Sequence, residues 1–70
     1  MRQKYIIRRF VHAVLNVNKG QWLPISDIVD EIELRYGWRY TQKQVYNAIV
    51  DDEALFRDTT DGTHTYSLLA

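Results

Sequence analysis

The sequence predicts one α+β domain spanning residues 1–70: three helices and a small antiparallel sheet, in the order helix-strand-helix-helix-strand-strand. Three observations carry this. Apolar residues recur at helical spacing in three separate segments. Thr41 followed by Gln44 is a capping-box pair that starts the third helix. Asp61-Gly62 lies between two short runs with strand composition, a strong two-residue hairpin signal.

The first helix is expected over about residues 3–17. Ile7, Phe10, Val11, Val14 and Leu15 fall at i, i+3, i+4, i+7, i+8, and Ile6, Ala13 and Val17 widen that apolar face. Tyr5, Arg8, Arg9, His12 and Asn16 take the opposite arc. Asn18-Lys19-Gly20 stops the helix, with Lys19 favouring the dipole and Gly20 permitting a positive φ. Residues 21–23, ahead of Pro24, suit a brief edge strand, because proline cannot donate to a central ladder.

A second helix is expected over about 27–36. Ser26 serves as its N-cap, and Asp27, Asp30 and Glu31 put negative charge in its first turns. Ile28, Val29, Ile32 and Tyr36 line one side, and Gly37 ends it. The third helix, about 42–52, buries Val45, Ala48 and Ile49. It runs into Asp51-Asp52-Glu53, three acids that oppose the dipole, so this end should fray or turn sharply.

The tail, about 55–68, changes to a strand period. Turning at Asp61-Gly62 sets Thr60 opposite Thr63, Asp58 opposite Thr65, Arg57 opposite Tyr66 and Leu55 opposite Leu68. Leu55, Tyr66 and Leu68 then share a face, with Phe56 on the other. The expected core packs these three on Ile7, Phe10, Val14, Ile28, Ile32 and Ile49.

Composition limits the function. Seventy residues without cysteine hold neither disulfides nor thiolate metal sites, so 46% hydrophobic content must stabilise a small core. No run approaches the roughly 18 apolar residues of a membrane span. Arg8 and Arg9 interrupt the apolar residues near the N-terminus, which leaves no signal-peptide core. The expectation is a soluble, cytoplasmic protein with no membrane association. Net charge is zero, but residues 1–22 hold five basic side chains and no acid, while residues 23–70 hold four basic and nine acidic ones. Such asymmetry predicts a bipolar surface.

Enzyme chemistry finds little footing. No glycine-rich phosphate loop or nucleophile elbow surrounds the Ser and Thr hydroxyls. His12 and His64 lie in separate elements and read as solvated surface residues, not a zinc site. The sequence therefore predicts no enzyme, no cofactor and no metal.

The Gly37-Trp38-Arg39-Tyr40 connection has the length of a helix-turn-helix turn. With the segment ahead of Ser26 (Leu23-Pro24-Ile25), helix Thr41–Val50 and the returning strand Gly62–Leu68, the order of elements resembles the winged helix-turn-helix superfamily over nearly the whole chain. That resemblance implies that the strand after helix one pairs Trp22-Leu23 with the 65–68 region. It also implies that helix three enters a DNA major groove while the wing lies near a phosphate backbone or minor groove. Other members use the fold only to bind proteins.

Carried onto this chain, the recognition positions are Gln42, Lys43, Tyr46 and Asn47, whose amide and ammonium groups suit base edges. Arg8 and Arg9 on helix one, Arg39 in the turn and Arg57 in the wing are the phosphate candidates. Gln44 supports the cap. The wing tip carries Asp58 and Asp61 and no base, which departs from the family's DNA-contacting pattern. Lys43 and Asn47 stand four apart, as in members that read left-handed DNA, but the proline-rich wing with its Trp is missing.

Two functions follow. One is a small regulator of transcription or recombination that binds duplex DNA, as a homodimer or beside another protein. The alternative is a protein-binding adaptor or inhibitor docking through Tyr46, Val50 and the acidic Asp51–Glu53 end.

Overall fold

The structure, a computed structural model, describes residues 2–58 and 65–68, with side chains described for residues 3–55. The described chain is mostly helical. Helix α1 spans Arg2–Val17, α2 spans Ile25–Tyr36 and α3 spans Gln42–Ile49. Three short extended segments complete it: β1 (Leu23–Pro24), β2 (Leu55–Asp58) and β3 (Thr65–Leu68). They pair antiparallel in the order β1-β3-β2. Leu23 faces Tyr66 and Pro24 faces Thr65. On the other side of β3, Leu55 faces Leu68, Arg57 faces Tyr66 and Asp58 faces Thr65. The expected turn at Asp61-Gly62, with Thr60, Thr63 and His64, lies outside the described residues.

Helix α1 ends where the sequence places its stop. The Asn18 side-chain amide donates to the Val14 carbonyl (2.9 Å), satisfying an acceptor of the last turn. Gly20 then takes φ 87°, a conformation that side chains rarely adopt.

Helix α2 corrects one expectation. It begins at Ile25, not 27, with Pro24 in the N-cap position and no side-chain cap bond, so Ser26 lies inside the first turn. Two facts account for the shift. Pro24 is itself paired in β1, which carries the chain directly from strand to helix. Ile25 is buried in the core, so packing outweighs the cap preference of Ser26. Proline is tolerated in β1 because that strand lies at the edge of the ladder. At the other end, Gly37 adopts φ 77° and donates its N–H to the Glu33 carbonyl, as expected of a glycine stop.

Helix α3 starts at the expected residue but stops at Ile49, short of 52. The chain turns there because the Asp52 N–H bonds the Ile49 carbonyl (3.1 Å). The Asp52 carboxylate in turn accepts from the Ala54 N–H (3.0 Å), closing a tight turn.

The core gathers Ile7, Val11, Val14 and Leu15 from α1, Ile25, Ile28, Val29 and Ile32 from α2, Val45, Ala48 and Ile49 from α3, and Leu55. Phe10 is only partly buried and packs at the margin, its ring 4.8 Å from that of Tyr36, itself an exposed residue. Ile6 and Val17 are exposed rather than core-facing. The reason is angular. Each α1 residue turns about 100°, and Ile6, Phe10, Ala13 and Val17 make a stripe beside the one that α2 and α3 cover.

Candidate nucleic-acid interface

The exposed side of α3 is built from its two ends. At the start, the Thr41 Oγ1 accepts from the Gln44 N–H (3.0 Å) and the Gln44 Oε1 accepts from the Thr41 N–H (2.9 Å). The reciprocal cap satisfies two donors that a helix start otherwise leaves open. Gln44 is thereby committed to the cap. At the far end, the Arg8 Nε donates to the Ala48 carbonyl (2.6 Å), placing a cation at the negative end of the helix dipole.

The acids after α3 have partners. Asp51 accepts from Lys4 (3.0 Å) and from Arg8. The Lys4 bond, ahead of that of Arg8, holds the Asp51 carboxyl below its ordinary range. Asp52 is buried and lies 2.6 Å from the His12 Nε2. Burial works to raise the Asp52 carboxyl, but the Ala54 amide and His12 together outweigh it, and the net displacement is downward. Helix α1 thus fastens the end of α3 with three side chains: Lys4, Arg8 and His12.

His12 therefore corrects the surface reading: it is half-buried against Asp52. The fastening was missed because helix-by-helix reading treats each charge alone. Its signal was the acid-free first helix beside an acidic second half, since opposite charges in separate elements pair once the chain closes. The same contacts reduce the acidic end proposed for partner docking. Asp51 is held in two ion pairs and Asp52 is buried, leaving Glu53 exposed.

With Val45, Ala48 and Ile49 turned inward, Gln42, Lys43, Tyr46, Asn47 and Val50 are exposed. Asn47 lines a shallow groove with Gln3, Lys4, Ile7 and Gln44, between α3 and the start of α1. Gln42 lines a second groove with Ser26, Asp30, Arg39 and Tyr40. Arg39 is exposed and bonds Glu33 (2.6 Å) and Asp30 (3.1 Å). Those hydrogen bonds, that of Glu33 first, raise the guanidinium further above its ordinary value.

The predicted residues thus separate into groups. Gln42, Lys43, Tyr46 and Asn47 share α3, with Arg39 across a groove from its start. Arg8 lies between α1 and α3, bonded to the protein itself. Arg9 is on another side of α1, in a groove with Phe10 and Tyr36. The Arg57 side chain lies outside those described.

Among the described residues, no group of three or more His, Cys, Asp or Glu could hold a metal ion, and no helix is long and apolar enough to cross a membrane. Comparison with protein-family models, characterised proteins and solved structures gives no match.

Proposed function

We propose that this chain is a winged helix-turn-helix domain that reads duplex DNA with α3, as a small cytoplasmic regulator of transcription or recombination. In this reading β2 and β3 form the wing, and β1 completes its sheet. One observation carries the proposal. A helix capped at Thr41 and fastened at Ala48 turns Gln42, Lys43 and Asn47 to solvent. Asn and Gln amides match the donor-acceptor pair of adenine, and a Lys ammonium matches the paired acceptors of guanine. Rigid support matters because base reading needs side chains held in register. Tyr46 reaches a phosphate from the flank of the same face. Arg39 supplies phosphate contact by exchanging its exposed carboxylate partners, and Arg57 does so from β2. Arg8 acts indirectly by holding α3.

The test is selection from a randomised duplex pool, followed by titration on the selected site. Asn47→Ala should lose about 1–3 kcal/mol on that site while leaving non-specific affinity nearly unchanged. Arg39→Ala should instead weaken every sequence alike and flatten the salt dependence if this side chain meets phosphate. A pool that yields no sequence preference, at protein concentrations spanning any self-association, refutes the reading.

A second reading, a protein-binding adaptor, is favoured by the 37% exposure of both Tyr46 and Val50 and by the pairing of Lys4, Arg8 and Arg39 with carboxylates. Loss of partner capture in Tyr46→Ala and Val50→Asp, with Asn47→Ala silent, would establish it instead.

A further inference from the structure

One side of α1 carries an apolar stripe that the described residues cover only in part. Ile6, Phe10, Ala13 and Val17 follow one another at spacings of four, three and four, the period of one helix face. Ile6 is 48% and Val17 57% exposed. Phe10 and Ala13 are half-buried, and Tyr36 of α2 leans on Phe10 and walls the groove. From Ile6 to Val17 the stripe runs about 16 Å, three turns of helix.

Charge decides what fits it. Arg9 is the charged residue lining this groove. Lys4, Arg8, Arg35 and Arg39 each pair with a carboxylate, whereas Arg9 has no ion-pair partner among the described residues. Lys19, two residues beyond Val17, has none among them either, and α1 contains no acid. A second copy laid against this face would bring one acid-free, basic helix onto another, and like charges at an interface cost affinity. A helix with an apolar face and a carboxylate at its edge satisfies both the stripe and Arg9.

We infer that the Ile6-Phe10-Ala13-Val17 face, with Arg9 at its rim and Tyr36 as its wall, docks an amphipathic acidic helix of another protein. The apolar residues of that helix lie along the stripe, and one of its carboxylates meets the Arg9 guanidinium. This surface is separate from the exposed side of α3 and does not depend on what α3 binds.

The test uses the full chain and two labelled helical peptides with the same leucine face, one flanked by Glu and its twin by Lys, followed by fluorescence anisotropy. The Glu peptide should bind about tenfold or more tighter than its twin at low salt, a ratio expected of matched against opposed charge, and the gap should narrow as salt rises. Arg9→Glu should reverse the preference, and Ile6→Glu should weaken both peptides, each variant keeping the wild-type melting curve because both positions are exposed. Equal binding of the two peptides, or binding of neither, overturns the inference. So does a wild-type chain that dimerises in sedimentation equilibrium and loses the dimer on Ile6→Glu, which would assign the face to a second copy.

Discussion

Asp52→Ala removes the acceptor at the hinge between α3 and β2. In the native chain this carboxylate is 8% exposed and receives the Ala54 N–H at 3.0 Å and His12 at 2.6 Å. A hydrogen bond to a charged group contributes about 1.5–3 kcal/mol, and an amide left unpaired in a partly buried turn loses most of that. His12 is 39% exposed and can turn to water, so its bond adds little to the loss. The expected destabilisation is therefore about 2–3 kcal/mol. In a domain of this size that lowers the melting temperature by roughly 8–24 °C. Thermal and urea melts followed by far-UV circular dichroism at neutral pH measure it. Asp52→Asn keeps an oxygen for Ala54 and should recover more than half the loss. A Tm for Asp52→Ala within about 2 °C of wild type, a few tenths of a kcal/mol, would refute the view that this joint fixes the end of α3.

Two other outcomes follow from the same contacts. Thr41→Ala removes one half of the reciprocal cap and should cost about 0.5–2 kcal/mol in urea melts, with Thr41→Ser nearly silent; equal effects would displace Thr41 from the cap. The carboxyls of Asp51 and Asp52 both lie below their ordinary values when folded. Their stabilisation is thus fully present above the unfolded-state carboxylate pKa of about 3.9 and is lost as pH falls through the folded values. Melting temperature should drop below about pH 4 more steeply in wild type than in Asp51→Asn/Asp52→Asn, the exposed Asp51 contributing the smaller share; parallel curves would refute it.

Local rules made much of this chain legible. The three helices follow from apolar spacing, and their stops at Gly20 and Gly37 follow from the left-handed conformation each glycine takes. The Thr41–Gln44 cap is a short-range pattern complete within four residues. The pairing of Leu55 with Leu68 and of Arg57 with Tyr66 was readable from alternation and the presumed turn alone. The exposed set on α3 was likewise readable, because burying Val45, Ala48 and Ile49 leaves Gln42, Lys43, Tyr46 and Asn47 outside by helical geometry.

Tertiary contacts decided the rest. Ser26 has the chemistry of a cap, yet the burial of Ile25 and the pairing of Pro24 moved the start of α2 ahead of it. Phe10 has the volume of a core residue, but α2 and α3 together cover only one stripe of α1, and Phe10 lies on the next. Arg8 and His12 look like solvated side chains in their own helix. They are 40 residues from Ala48 and Asp52 along the chain, and no local period reports a bond across that separation. Sequence by itself determined where the three helices lie and the central apolar stripe of each, because those depend on spacing within a few residues. Tertiary packing set the start of α2, the end of α3 and the width of the buried face of α1. Only the packed structure decided which charges neutralise one another and which apolar stripe stays partly uncovered, because those depend on which helix faces meet when the chain closes.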